Sequence, residues 1–249
     1  MDGQRVDFQY LPSHGVKYPD DIEIYVKPLS VKEQIDMERY GISDAEYFQI
    51  LLNGVTIHGT FNKNNLLQSD VQFLDIVRRL YTFDTNDKIT ITDYKCPYSD
   101  CTGKVDYSFS IDEIDFTEFN EDIFGKEFVL REGTEDEVTV TVSPLTSAEY
   151  IEMSKKFKNK ARKDAMSAMY GDYLCACIRE VKDREFKSLN DRNVFLRKLI
   201  EETYMAKHKK VFEQIVNETI IKVKPFETIC PECGRVVEVE VRPSCNFQQ

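Results

Sequence analysis

The chain has 249 residues, with 33 Lys and Arg against 44 Asp and Glu, a net charge of −11. That balance disfavours a free-standing nucleic-acid binder and an anionic membrane surface, because both rely on clustered Lys and Arg. No apolar run reaches the roughly 20 residues that cross a bilayer, and the N-terminus carries no apolar signal segment, so a soluble protein of a reducing cytoplasm is expected.

The length suits one large domain or two ordinary ones. Leu11-Pro12-Ser13-His14-Gly15-Val16-Lys17-Tyr18-Pro19 reads as a loop punctuated by Pro and Gly. Residues 21–26 alternate Ile22, Ile24 and Val26, the pattern of a half-buried strand that Pro28 ends. Ser30 and Glu33 then form a capping box for a helix that Gly41 stops. Ser43-Asp44 caps a second helix carrying Tyr47, Phe48, Leu51 and Leu52, with Val55 and Ile57 continuing its apolar face unless Asn53-Gly54 breaks it. Asp70 is the expected cap of a third helix, whose face is Phe73, Leu74, Val77, Leu80 and Tyr81. A strand over 88–92 leads into Cys96-Pro97-Tyr98-Ser99-Asp100-Cys101-Thr102-Gly103, and an alternating strand over 105–111 follows.

Residues 106–137 hold twelve acids and two bases, Lys126 and Arg131, with Phe109, Phe116, Phe119, Phe124 and Phe128 spread among them. This is either a solvated connector whose rings pack on its neighbours, or a partner-binding segment with steering acids and aromatic anchors.

The second half repeats the first. A strand over 137–142 precedes Pro144-Leu145-Thr146-Ser147-Ala148-Glu149-Tyr150-Ile151-Glu152-Met153. Against Pro28-Leu29-Ser30-Val31-Lys32-Glu33-Gln34-Ile35-Asp36-Met37, the Pro, Leu, hydroxyl, Glu, Ile, acid and Met coincide at an offset of 116. The next helix is basic (Lys155, Lys156, Lys158, Lys160, Arg162, Lys163), either a solvated face or a match for an acidic surface. Residues 165–181 read as a core helix holding Cys175 and Cys177. One intervening residue sets these about 200° apart on a helix, so they are expected as small buried apolar groups. Asn190-Asp191 begins a long helix reaching Phe212, residues 220–223 form a strand, and Cys230-Pro231-Glu232-Cys233-Gly234 opens a last strand over 236–241.

Two Cys-Pro turns, each followed by Gly and an alternating strand, are zinc-knuckle signals; the spacing at Cys230/Cys233 is the standard one and that at Cys96/Cys101 is longer. Cys96, Cys101, Cys230 and Cys233 are the expected ligands of one structural Zn²⁺, brought together if the halves pack about a pseudo-twofold axis, or else shared between chains. With seven Cys in total, Cys245 stands alone, and His14, His58 and His208 lie in no ligand-spaced motif. No phosphate loop, nucleophile elbow or His-Glu-x-x-His occurs, so no catalytic residue is assigned and the chain is not expected to be an enzyme.

The fold expected is α+β: two similar, mostly helical halves, each with an N-terminal strand and a C-terminal zinc-ribbon-like β-hairpin. The first half is 1–116, the acidic Phe-bearing connector is 117–136, and the second half is 137–249.

The loop from Leu11 to Pro19, the run Val26-Lys27-Pro28-Leu29-Ser30-Val31-Lys32-Glu33 and the late Cys-Pro-x-Cys-Gly turn resemble baseplate hub proteins of contractile-tailed phages of the T-even type. Length and the two-knuckle layout are most similar to those that assemble the hub. The resemblance implies a role in building the hub of the tail baseplate in the host cell cytoplasm, by binding other hub proteins, with self-association open. It carries no catalytic residues. A permanent hub subunit, a zinc-ribbon nucleic-acid binder relying on the basic helix, and a hydrolase with unrecognised carboxylates remain the alternatives.

Overall fold

The computed structural model describes residues 3–39, 41–83, 88–157 and 169–240. It is a mixed helix and sheet protein, an α+β chain with small antiparallel sheets. Strands β1 (Gln4–Val6), β2 (Glu23–Val26) and β3 (Val55–His58) form the first sheet, in that order. Its inner face is set by period-two alternation, with Ile24 and Val26 fully buried. Between β2 and β3 lie α1 (Val31–Glu38) and α2 (Asp44–Asn53), each opened by a complete capping box, Ser30 with Glu33 and Ser43 with Glu46. Of the two outcomes expected at Asn53-Gly54, the break is the one that forms, and α2 does not continue through Val55 and Ile57. Gly54 ends the helix and Val55–His58 pairs with β2 instead.

Gly54 is required there by close approach. A Cβ on it would stand 2.2 Å from Cζ of Arg78. The Arg78 side chain, only 2 % exposed, runs from α3 (Gln68–Phe83) beneath this turn. Gly54→Ala is therefore expected to destabilise the chain by about 1–3 kcal/mol, the cost of overpacking a filled interior. Urea unfolding checks this, and a stability gain would show that the guanidinium yields freely.

Asp70 is not the cap of α3. It sits inside the first turn, fully buried, and accepts hydrogen bonds from Ser13 N (3.0 Å), Ser13 Oγ (2.5 Å) and Tyr18 Oη (2.5 Å). Its carboxylate thus pins the N-terminal loop to the helix. Burial raises its pKa, against the opposing pull of these donors.

Strands β4 (Lys88–Lys95) and β5 (Lys104–Ser110) make a hairpin with an irregularity between Ile91 and Tyr94. The second three-stranded sheet runs β6 (Lys126–Leu130), β7 (Val138–Val142) and β8 (Ile178–Val181). The stretch read as a connector thus contains a strand. Phe128 and Leu130 are buried while Glu127 and Val129 face outward.

Helix α4 (Ser147–Ser154) opens with the Thr146–Glu149 capping box, and α5 (Tyr170–Cys177) leads into β8. The helix expected to run to 181 therefore stops at Cys177, and its 165–168 portion lies outside the described residues. The long helix expected from 190 is two helices, α6 (Leu189–Glu201), capped by Ser188, and α7 (Ala206–Thr219). The break is built by Thr203, whose hydroxyl donates to Leu199 O and accepts from Arg131 Nε. Residues 220–223 make a single bridge, Val223 to Phe116, rather than a strand. Strands β9 (Phe226–Ile229) and β10 (Val236–Val239) form the last hairpin.

The larger core crosses the middle of the chain, joining Ile24, Phe48, Leu52, Val71 and Leu74 with Leu145, Tyr150, Met153 and Cys177. A second cluster lies between β6–β8 and α5–α7, around Leu130, Val140, Leu174, Leu196 and Ile215. At the seam, Ser147 N donates to Leu66 O (2.7 Å) and Gln68 N to Leu145 O (3.0 Å). The rings of Phe48 and Tyr150 pack 4.4 Å apart, and Tyr150 Oη donates to Asp44. No helix among the described residues is long and apolar enough to cross a membrane.

Candidate metal centre

The two Cys-Pro turns close the two hairpins. In the first, Cys96 N donates to Gly103 O (2.9 Å) and Cys101 N to Tyr98 O (3.0 Å). In the second, Cys230 N donates to Arg235 O and Gly234 N to Cys230 O, both 2.9 Å, with Gly234 at φ +70, where a Cβ would be strained.

The chain segments that lead out of β5 and into β9 run side by side. Thr117 N donates to Lys222 O, and Lys224 N to Asp115 O, both 2.8 Å. Above them Phe226 stacks on Phe109 at 4.6 Å and Tyr107 at 5.2 Å. The hairpins are thereby held tip to tip.

At the tips, Cys96, Cys101, Cys230 and Cys233 come together, their Sγ atoms all within 4.8 Å of one another. The Cys96–Cys233 and Cys101–Cys230 sulfurs are each 3.8 Å apart. A disulfide would require about 2.05 Å. A tetrahedron with metal–sulfur bonds of about 2.3 Å has edges of roughly 3.8 Å, so the spacing fits a tetrathiolate metal site. Cys96 and Cys230 are buried, while Cys101 and Cys233 are half-buried. Gly103 lies against the cluster, and a Cβ there would stand 2.8 Å from Cys230 Sγ.

Four thiols this close cannot ionise together without a cation. Desolvation pushes Cys96 up. At Cys101 the Gly103 N–H favours the thiolate, but desolvation and the neighbouring thiols outweigh it and push the group up to about 12. Cys233 goes the other way, to about 6, because Arg235 donates to it. A bound dication would reverse the upward shifts by taking all four sulfurs as thiolates.

Arg235 also joins the knuckles. Its Nε donates to Cys233 Sγ (3.4 Å), its Nη2 reaches Asp100 Oδ1 (2.6 Å), and its guanidinium lies 4.0 Å over the Tyr98 ring. Tyr98 Oη returns a bond to Val236 O (3.1 Å). Arg235→Gln is expected to weaken metal retention by roughly 10–100-fold, the usual cost of losing a partner behind the ligands. Competition with a chromogenic chelator measures it, and unchanged retention would reduce Arg235 to a surface ion pair.

The remaining candidates are not drawn into the cluster. Cys175 and Cys177 are buried inside α5, and desolvation pushes them up to about 11 and about 12, as suits inert thiols. His14 bonds Gln9 O, His58 packs on Tyr25, and His208 is buried in α7. Lys155 pairs with Glu152 and Lys156 with Asp172. The rest of the basic run (158–163) and Cys245 lie outside the described residues. The contact that sequence reasoning missed is Arg235, whose only signal is its place directly after Cys233-Gly234.

No curated protein and no solved structure matches the chain. The family model described as T4 bacteriophage base plate protein matches residues 7–247, nearly the whole length. The chain belongs to the T4 bacteriophage base plate protein family.

Proposed function

We propose that this baseplate protein is an assembly factor for the baseplate hub, acting by protein–protein contact in the host cell cytoplasm, with one structural Zn²⁺ held by Cys96, Cys101, Cys230 and Cys233. Membership of the family implies contact with other baseplate components; the hub and its proteins as partners are our own reading. The observation that carries it is the closed cysteine cluster, formed by two turns some 130 residues apart in a baseplate-family chain. A closed four-sulfur site supplies a cross-link and leaves no open position for chemistry. We therefore read the chain as a binding protein and not an enzyme. Such a factor speeds assembly by binding one conformation of a subunit and raising its population.

The halves, 1–116 and 137–249 joined by 117–136, fit an internal duplication. Each contributes strands to a three-stranded antiparallel sheet, although β6 of the second sheet falls in the joining segment. Each has a capping-box helix, and each ends in a hairpin closed by a Cys-Pro turn. One further parallel favours common descent. Arg78 donates to Pro28 O and Glu33, and Arg179 donates to Pro144 O and Glu149, so the same Pro and Glu in each copy are read by an arginine. In this reading the metal binds the two ribbon hairpins to each other.

The second reading, a permanent subunit of the hub, is equally compatible with family membership. Quantifying the chain in purified mature tails and in infected-cell extracts separates them. An assembly factor is expected in extracts and depleted from tails; one or more copies per tail would overturn that role and leave the subunit reading.

A further inference from the structure

We propose that the groove between the N-terminal loop and the acidic segment after β5 is the docking site for an extended, Lys- or Arg-bearing segment of another baseplate protein. The inference rests on the protein–protein reading above but not on the metal. The groove has a volume of about 960 Å³. Its apolar side is Tyr10, Ile114, Phe116 and Phe119, with Phe73 beneath. Phe116 is set edge-on against Phe73 at 5.3 Å and Phe119 against Phe124 at 6.0 Å, so the aromatic floor is already in place.

The rim is one-signed. Five carboxylates line the groove against a single lysine, and that lysine, Lys224, is taken by Asp115 at 2.7 Å. The side chains of Asp112, Glu118, Glu121 and Asp122 have no ion-pair or hydrogen-bond partner among the described residues. Four like charges around one groove repel each other in the free protein, and a cationic occupant relieves that cost.

The occupant follows from the two features together. Long Lys and Arg stems lie well on aromatic faces while their heads reach carboxylates, and the volume suits a few side chains rather than a folded domain. A phosphate backbone is repelled by the rim. A lone metal ion would leave the aromatic floor uncovered.

The test uses the full-length chain and an array of short overlapping peptides tiling the other baseplate proteins of the phage. Bound peptides are expected to combine Lys or Arg with an aliphatic or aromatic residue, and to weaken as salt is raised. The best binder is then titrated against the wild type and against a variant carrying Asp112→Lys, Glu118→Lys and Glu121→Lys. All three positions are exposed, so the fold is expected to survive. A loss of about tenfold or more is expected, and Phe119→Ala, with its folding checked by unfolding, should weaken binding at unchanged charge. Equal binding by the charge-reversed chain would overturn the groove, as would capture of acidic peptides only, or of none. Self-association lost in the charge-reversed chain would reassign the groove to a second copy. Any of these results leaves tail incorporation, and so the assembly reading, to be judged separately.

Discussion

Replacing Cys230 with Ser is expected to remove the bound metal and to cost the chain about 4–5 kcal/mol of stability. The estimate comes from chain entropy. A metal across the two knuckles closes a loop between Cys101 and Cys230, 129 positions apart. A cross-link over a loop of about 100 residues is worth roughly 4.7 kcal/mol through the unfolded state. Metal–thiolate bonding in isolated zinc peptides reaches about 10–16 kcal/mol, but there the metal supplies nearly the whole fold. Here the stacked Phe109 and Phe226 and the paired segments beneath keep the hairpins together in part, so the smaller figure is expected. Native mass spectrometry on protein purified without added metal gives the zinc count, and urea unfolding with and without chelator gives the stability. One zinc per monomer, lost in Cys230→Ser and retained in Cys175→Ala, is the expected outcome. Zinc seen only in dimers would move the ligands to an interface between chains and make metal a switch for association. A zinc-free wild type as stable as Cys230→Ser would remove the clamp altogether.

The convergence of the four cysteines was legible because the Cys-Pro turn occurs twice, at Cys96 and at Cys230, and each turn supplies two thiols at ligand spacing. Strands β2 and β7 were equally plain, with their period-two alternation ended by Pro28 and Pro144. Short strands that follow a helix without a break in hydrophobicity were not. Val55–His58 and Ile178–Val181 continue the apolar character of α2 and α5, and only sheet pairing to β2 and β7 decides their state. Acidic composition hid β6, although Phe128 and Leu130 already alternate with Glu127 and Val129. Asp70 misled in the other direction. An Asp before an apolar helical face is a usual cap signal, yet its oxygens serve Ser13 and Tyr18, more than fifty residues away. Long-range polar contacts of this kind leave no local spacing to read, and the same is true of the bond from Arg235 to Asp100 and of the groove beside Lys224.

Arg78→Leu is expected to destabilise the chain by about 3–5 kcal/mol, the usual cost of breaking a buried ion pair from one side. Arg78 Nε donates to Lys27 O (2.7 Å), Nη1 to Ile50 O (3.2 Å) and Nη2 to Glu33 Oε1 (2.7 Å). The one side chain thus ties the end of β2, the body of α2 and the start of α1 to α3. Leucine would fill much of the space but leave three carbonyls, those of Lys27, Pro28 and Ile50, and a carboxylate without their donor. Glu33→Gln is the milder probe, at about 1.5–3 kcal/mol for hydrogen bonds to a charged group. It also predicts a pH dependence. Burial alone would raise the Glu33 carboxyl, but Arg78 and the Ser30 N–H and hydroxyl outweigh it and hold the pKa below its ordinary 4.5. A group depressed in the folded state adds stability above its unfolded pKa and loses it as pH falls through the folded value. Wild type should therefore weaken below about pH 4.5, and its advantage over Glu33→Gln should shrink there. Glu149 is depressed in the same sense: its burial too is outweighed, by Arg179 and the Thr146 N–H. The two glutamates lie in different halves without a shared arginine, so Glu33→Gln and Glu149→Gln should be close to additive. Urea unfolding across neutral and acid pH checks each step. A Glu33→Gln chain as stable as wild type at neutral pH would show that the Lys27, Pro28 and Ile50 carbonyls suffice to hold Arg78 in place.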